Sequence, residues 1–220
     1  MSRRDRTKLA RLAPSVSTLP TGKAMMTSAR RFIVTSAGLA AALLPVVALA
    51  HPGSLAEHVG QPHGFVDGFA HPFTGLDHLG AMLAVGVWSA GAARRAWIAP
   101  LAFVACLLAG ALATANGLAV PAAEPMIALS LLAFGLLLAQ RARLHPAAAA
   151  ALVGGFAWFH GASHGVELGA GAALAGMVLA TATLHACGIA VGLALRRRNA
   201  WWTRGAGVAL ALFGVSLLAA

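Results

Sequence analysis

The chain has 220 residues, of which 59% are hydrophobic and only 10% are charged. Soluble domains usually carry about a quarter charged residues, so this composition argues against a soluble globular protein and favours a single membrane bundle. The net charge of +10 does not indicate nucleic-acid binding, because residues 1–50 contribute +7 of it and residues 51–220 only +3.

The first 50 residues have the organisation of a secretory signal. Arg30 and Arg31 form a positive n-region, residues 32–47 an apolar h-region, and residues 48–50 an Ala-Leu-Ala cleavage site. We therefore predict that residues 1–50 are an N-terminal extension with a cleaved signal peptide. An uncleaved signal anchor is the alternative.

Residues 51–70 are predicted to form an irregular, external segment that contains several histidines. After cleavage, His51 would be the first residue and would chelate a metal ion through its amine and one ring nitrogen. The segment is therefore either a weak capture arm for metal or an ordinary polar leader.

Six apolar runs follow this segment. Most have about 20 residues, which is enough to cross a hydrocarbon core of about 30 Å as a helix. They do not alternate as the strands of a barrel would. The sequence thus predicts an all-α integral membrane protein in which residues 71–220 form about six transmembrane helices, near 72–92, 96–116, 122–140, 147–166, 170–195 and 200–219.

Arginines alternate from loop to loop between these runs. The loops near 117–121 and 166–170 contain no Lys or Arg, whereas the other three carry Arg94 and Arg95, Arg141 and Arg143, and Arg196 to Arg198. By the positive-inside rule the arginine-bearing loops are cytoplasmic. We therefore predict a multi-pass protein of the bacterial inner membrane with its mature N-terminus and its C-terminus in the periplasm.

Two polar clusters interrupt the apolar runs: His71, Asp77 and His78 in the first run, and His160, His164 and Glu167 in the fourth. An ionised Asp costs roughly 2.5–3.5 kcal/mol at membrane depth, so such groups usually bind something. With alternating helices both clusters lie in the outer half of the bundle and are predicted to share one site. Structural hydrogen bonding is the alternative.

The spacing within each cluster supports this interpretation. The second cluster has i, i+4, i+7 spacing, which places its side chains on one stripe of a helix. In the first, seven residues are about two turns, so one helix with Pro72 in its first turn would present His71 and His78 on the same face. Asp77 would either bind metal directly or orient an imidazole.

Imidazole and carboxylate groups with no thiolate cluster suit a divalent ion such as nickel, cobalt or zinc. His185 lies in the fifth run, roughly at mid-membrane. It is predicted to be a deeper relay position for the ion. A core histidine that is hydrogen-bonded to a helix carbonyl is the alternative.

The pattern Gly64-Phe65-Val66-Asp67-Gly68-Phe69-x-His71-Pro72-x-x-Gly75-Leu76-Asp77-His78 resembles the first motif of the HupE/UreJ family of nickel/cobalt permeases. Phe159-His160-Gly161-x-x-His164-Gly165-x-Glu167 resembles its second motif. The resemblance covers essentially the whole mature chain. It implies a small secondary permease for nickel or cobalt, with His71, Asp77 and His78 as metal residues of the first helix.

The predicted function is therefore import of a divalent transition metal, with the ion and the lipid bilayer as partners and no prosthetic group. The sequence contains no Walker motif that would indicate ATP hydrolysis. One alternative is a metal-binding accessory protein for hydrogenase or urease maturation. Another is an intramembrane metalloenzyme, although Gly161 stands where a zincin helix has its general-base Glu. We expect no enzymatic activity.

Overall fold

The computed structural model describes residues 64–92, 95–196, 198 and 200–220. The predicted signal peptide and His51 lie outside these residues. Within them all regular secondary structure is α-helical and comprises α1 (Phe65–Thr74), α2 (Leu76–Ala92), α3 (Ile98–Ala115), α4 (Ala123–Gln140), α5 (Pro146–Leu168), α6 (Ala172–Leu195) and α7 (Trp201–Leu218).

Four of the described helices, α3, α4, α6 and α7, are long and apolar enough to cross a bilayer. The other two predicted spans are less clear-cut: α2 has 17 residues, and α5 has 23 residues but contains the second polar cluster. The described chain therefore has the helical character of a membrane protein, as predicted, while six crossings and a cleaved signal peptide stay predictions.

The first predicted helix is in fact two helices. Gly75 has an extended backbone (φ −86°, ψ 110°) and separates α1 from α2. α1 begins at Phe65, inside the segment that was predicted to be irregular, and Pro72 lies near its end rather than in a first turn. Because proline disrupts a helix and glycine adopts extended conformations readily, the chain breaks here. The prediction of one continuous helix through His71 and His78 was wrong.

Small residues allow the helices that surround the polar clusters to pack closely. α5 packs along α3, where Gly161 faces the carbonyl of Leu107 and Gly165 faces that of Ala111. A Cβ atom at either glycine would overlap the α3 backbone. Such close approach is how helices gain packing energy in a bilayer, and it fixes α5 against α3 at the level of its histidines.

The remaining pairs complete the bundle: α6 packs against α1 and α2, and α4 packs against α7. Phe103 of α3 and Phe134 of α4 are fully buried, with ring centroids 6.5 Å apart. The Phe103 ring also contacts the rings of His160 and His185. The apolar core therefore lies directly beside the buried histidines.

Candidate metal site

The two sequence clusters meet in the structure, as predicted. His71 comes from α1, Asp77 and His78 from the start of α2, and the three residues of the second cluster from α5. Although α1 and α2 are separate helices, the break at Gly75 leaves both of their histidines in contact with α5. One group of side chains thus joins three helices.

His164 is the centre of this group. Its Nδ1 lies 3.1 Å from His71 Nε2, and its Nε2 lies 2.7 Å from His78 Nε2. His78 Nδ1 in turn lies 3.0 Å from Asp77 Oδ1. We call this series of hydrogen bonds, from His71 through His164 and His78 to Asp77, the histidine chain.

The carboxylate fixes the positions of the protons along the histidine chain. Asp77 accepts, so His78 donates from Nδ1–H and its Nε2 carries the lone pair. His164 must then donate from Nε2–H to His78, which leaves its Nδ1 to accept from His71 Nε2–H. Every one of these inter-residue bonds is satisfied by neutral imidazoles, because each ring donates from one nitrogen.

Glu167 stands beside the same nitrogen of His164. Its Oε2 lies 3.7 Å from His164 Nδ1, which is too long for a hydrogen bond. Ligand atoms of His71, His164 and Glu167 all lie within 4.8 Å of one another. The ligand atoms of a tetrahedral zinc site are roughly 3.4 Å apart, so side-chain movements of about 1 Å would let these three hold one ion.

His160 lies deeper in α5 and is fully buried. The Ser130 hydroxyl donates to the Ile127 carbonyl at 2.6 Å and therefore accepts from His160 Nε2–H at 2.8 Å. This assignment leaves the lone pair on His160 Nδ1, which has no hydrogen-bond partner among the described residues. Its ring lies 4.8 Å from that of His78, measured between centroids.

His185 on α6 follows the same pattern. Its Nδ1–H donates to the Met82 carbonyl at 2.8 Å, so Nε2 carries a lone pair, and that atom too has no partner in the described part of the chain. The ring centroid of Phe103 lies 5.4 Å from that of His160 and 4.8 Å from that of His185. His185 is thus outside the histidine chain but lies against the same phenylalanine as His160.

The structure therefore places His71, His78 and Glu167 beside His164. Asp77 and His160 lie beside His78, and His185 lies beyond Phe103. His51 is outside the described residues. Sequence reasoning did not identify Ser130 or Phe103 as neighbours of the site. Ser130 had a usable signal, because a lone hydroxyl in an apolar helix usually has a polar partner.

Comparison with known proteins identifies the group to which this chain is related. The sequence profile described as HupE / UreJ protein matches residues 39–217. This chain belongs to the HupE/UreJ family. A curated relative, Protein HupE of Rhizobium leguminosarum bv. viciae, is 40% identical over 186 residues, which are 82% of this chain and 94% of the relative. No solved structure shows a significant match.

Proposed function

We propose that this protein is a secondary permease that imports a divalent transition metal, nickel or cobalt, across the bacterial inner membrane. The observation that supports this most is His164, which contacts an imidazole through each of its ring nitrogens. Two motifs that are distant in sequence thereby form one buried nitrogen-rich site. Membership of the HupE/UreJ family supports the same class of substrate.

The histidine chain suggests how such a site exchanges an ion. A neutral imidazole has one lone pair, so His164 serves as a ligand through Nδ1 or through Nε2, but not through both. Through Nδ1 it would hold an ion with His71 and Glu167, whose ligand atoms are within 4.8 Å. Through Nε2 it would hold one with His78. A shift of the His164 proton from Nε2 to Nδ1 would move the ion from the first position to the second.

His160 and His185 provide the proposed continuation of the path. Hydrogen bonds to Ser130 and to the Met82 carbonyl hold both rings in tautomers that keep one lone pair each. A buried, unpartnered imidazole nitrogen is costly in the absence of a ligand. We therefore assign these two residues to the inner part of the route, with Phe103 between them.

The driving force need not include ATP. A divalent ion that crosses a membrane at 100 mV gains about 4.6 kcal/mol, which corresponds to roughly three decades of accumulation. The proposed direction of transport is inward, because a membrane potential that is negative inside draws cations into the cell. We propose that the arginine-bearing loops, at the other end of α2 from the histidine chain, are cytoplasmic. With that orientation, the mature N-terminus and the C-terminus would lie in the periplasm.

The test is uptake of radiolabelled nickel by proteoliposomes that hold the purified full chain, with cobalt and zinc as competitors. We expect saturable uptake that His78→Ala and His164→Ala abolish. His145→Asn is the control, since it changes an exposed histidine that caps α5 and keeps a capping side chain. Tight metal binding without uptake would contradict the permease and favour the accessory protein.

A further inference from the structure

A cavity of about 320 Å³ opens at the end of the bundle opposite to the histidine chain. Its walls come from α2, the loop after α4, the end of α6 and the start of α7. Gly91 in its wall is 13 residues beyond His78, or about 20 Å along α2. The cavity therefore lies well away from the proposed metal route.

The cavity is strongly basic. No carboxylate is among the described residues that line it, but five guanidinium groups are: Arg141, Arg143, Arg196, Arg198 and Arg204. All five side chains are exposed, so the cavity is accessible from outside the protein. Five like charges around one space repel each other unless an anion neutralises part of the charge.

Two features hold the arginine-bearing loop at this cavity. Trp88, itself a wall residue, donates from Nε1–H to the Ala142 carbonyl at 2.8 Å and so ties the loop to α2. Arg141 caps α4 with a left-handed backbone (φ 54°), a conformation that glycine adopts more easily.

Two tryptophans indicate the depth at which the cavity opens in the membrane. Trp201 and Trp202 at the start of α7 are 51% and 71% exposed, and the Arg204 guanidinium lies 5.9 Å from the Trp201 ring centroid. Exposed tryptophans concentrate at the level of the lipid headgroups. The cavity thus opens where phosphate groups are abundant.

We propose that this arginine cavity binds a phosphate-bearing anion, either the headgroup of an anionic phospholipid or free inorganic phosphate. Guanidinium groups match phosphate oxygens through paired, charge-assisted hydrogen bonds. Basic pockets between transmembrane helices are a known mode of binding anionic headgroups. The proposal is independent of metal transport, and its test does not measure uptake.

The first experiment titrates the purified full chain in detergent with phosphatidylglycerol, with phosphatidylcholine and with inorganic phosphate. We expect phosphatidylglycerol to bind at least about tenfold more tightly than phosphatidylcholine, because the arginines repel the choline cation that makes the second lipid net neutral. Displacement of the lipid by millimolar phosphate would identify phosphate itself as a sufficient ligand, and no displacement would identify the lipid. Equal binding of both lipids would overturn the proposal.

The second experiment repeats the titration with the double variant Arg141→Gln, Arg204→Gln. Binding of the anionic ligand should weaken by at least about tenfold. Arg95→Gln is the matched control, because Arg95 is an exposed arginine just after α2 that does not line the cavity. An equal loss in the control would show general attraction to a basic surface and would also overturn the proposal.

Discussion

Replacement of Ser130 by alanine tests whether the tautomer of His160 matters for metal binding. The Ser130 hydroxyl is the acceptor for His160 Nε2–H at 2.8 Å, and both residues are fully buried. Without the hydroxyl, that N–H is left without a partner in a place that water does not reach. Its proton is then free to shift to Nδ1, the nitrogen whose lone pair we assign to the metal route.

The magnitude follows from these contacts. A buried donor without a partner costs about 1–3 kcal/mol, so the free energy of unfolding should fall by that amount. Loss of a residue that orients a metal-binding histidine usually weakens metal affinity by about 10- to 100-fold. For Ser130→Ala, thermal unfolding of the purified protein should therefore show the loss of stability, and a nickel titration should show the loss of metal affinity.

Ser216→Ala is the matched control for this variant. Ser216 also lies in an apolar helix and donates to the carbonyl three residues earlier, that of Phe213, at 2.7 Å, and it has no hydrogen bond to a histidine among the described residues. It should change the free energy of unfolding by less than about 0.5 kcal/mol and leave nickel affinity unchanged. The reasoning is refuted if Ser130→Ala, at normal protein levels, binds nickel as the parent chain does.

Three further predictions concern the route, the packing and the choice of ion. His185→Asn keeps an N–H donor at the position of Nδ1 for the Met82 carbonyl but loses the ring lone pair. We expect maximal nickel uptake to fall about tenfold with KM changed less than about twofold, as uptake kinetics would show. Gly161→Ala should lower stability by about 1–3 kcal/mol in thermal unfolding. Gly155→Ala on the same helix faces open space and should not. An excess of Mg²⁺ over nickel of about a hundredfold should leave nickel uptake unchanged, because Mg²⁺ prefers oxygen ligands.

The second cluster could be predicted from the sequence because its geometry is local. The spacing of His160, His164 and Glu167 fixes their common stripe wherever the helix lies, and α5 has that form. The meeting of the two clusters followed from the alternation of helix direction, which the arginine pattern supplied. Both inferences needed only helix periodicity and chain direction.

The break at Gly75 was missed because apolar periodicity does not record it. The break falls inside the first polar cluster, whose polar residues were attributed to a metal site, so only Pro72 and Gly75 signalled an interruption of the helix. Pro72 was assigned to a first turn, whereas α1 begins seven residues earlier and packs on α6 through Gly68. Tertiary packing, and not local propensity, sets that start.

The bond between Ser130 and His160 was beyond sequence reasoning for another reason. α4 is apolar nearly all round, so its sequence does not determine which face is turned toward α5. Only the close packing of α4 with α7, at Gly135 and Gly207, fixes that rotation. The proton assignments in turn require atomic positions, because each depends on whether the partner atom donates or accepts.

The proposed role of the histidine chain in metal transport has a consequence for ion selectivity. Each inter-residue hydrogen bond along it is already satisfied, so an ion must break the contact between His164 and His71 or His78 before it gains a nitrogen ligand. Breaking such bonds costs about 0.5–1.5 kcal/mol each, and the ion must also give up water. Only an ion with a strong preference for imidazole nitrogen recovers these costs. In the proposed permease, a site that is closed by its own hydrogen bonds would therefore reject the abundant hard cations without a steric filter and open only to ions that prefer nitrogen ligands.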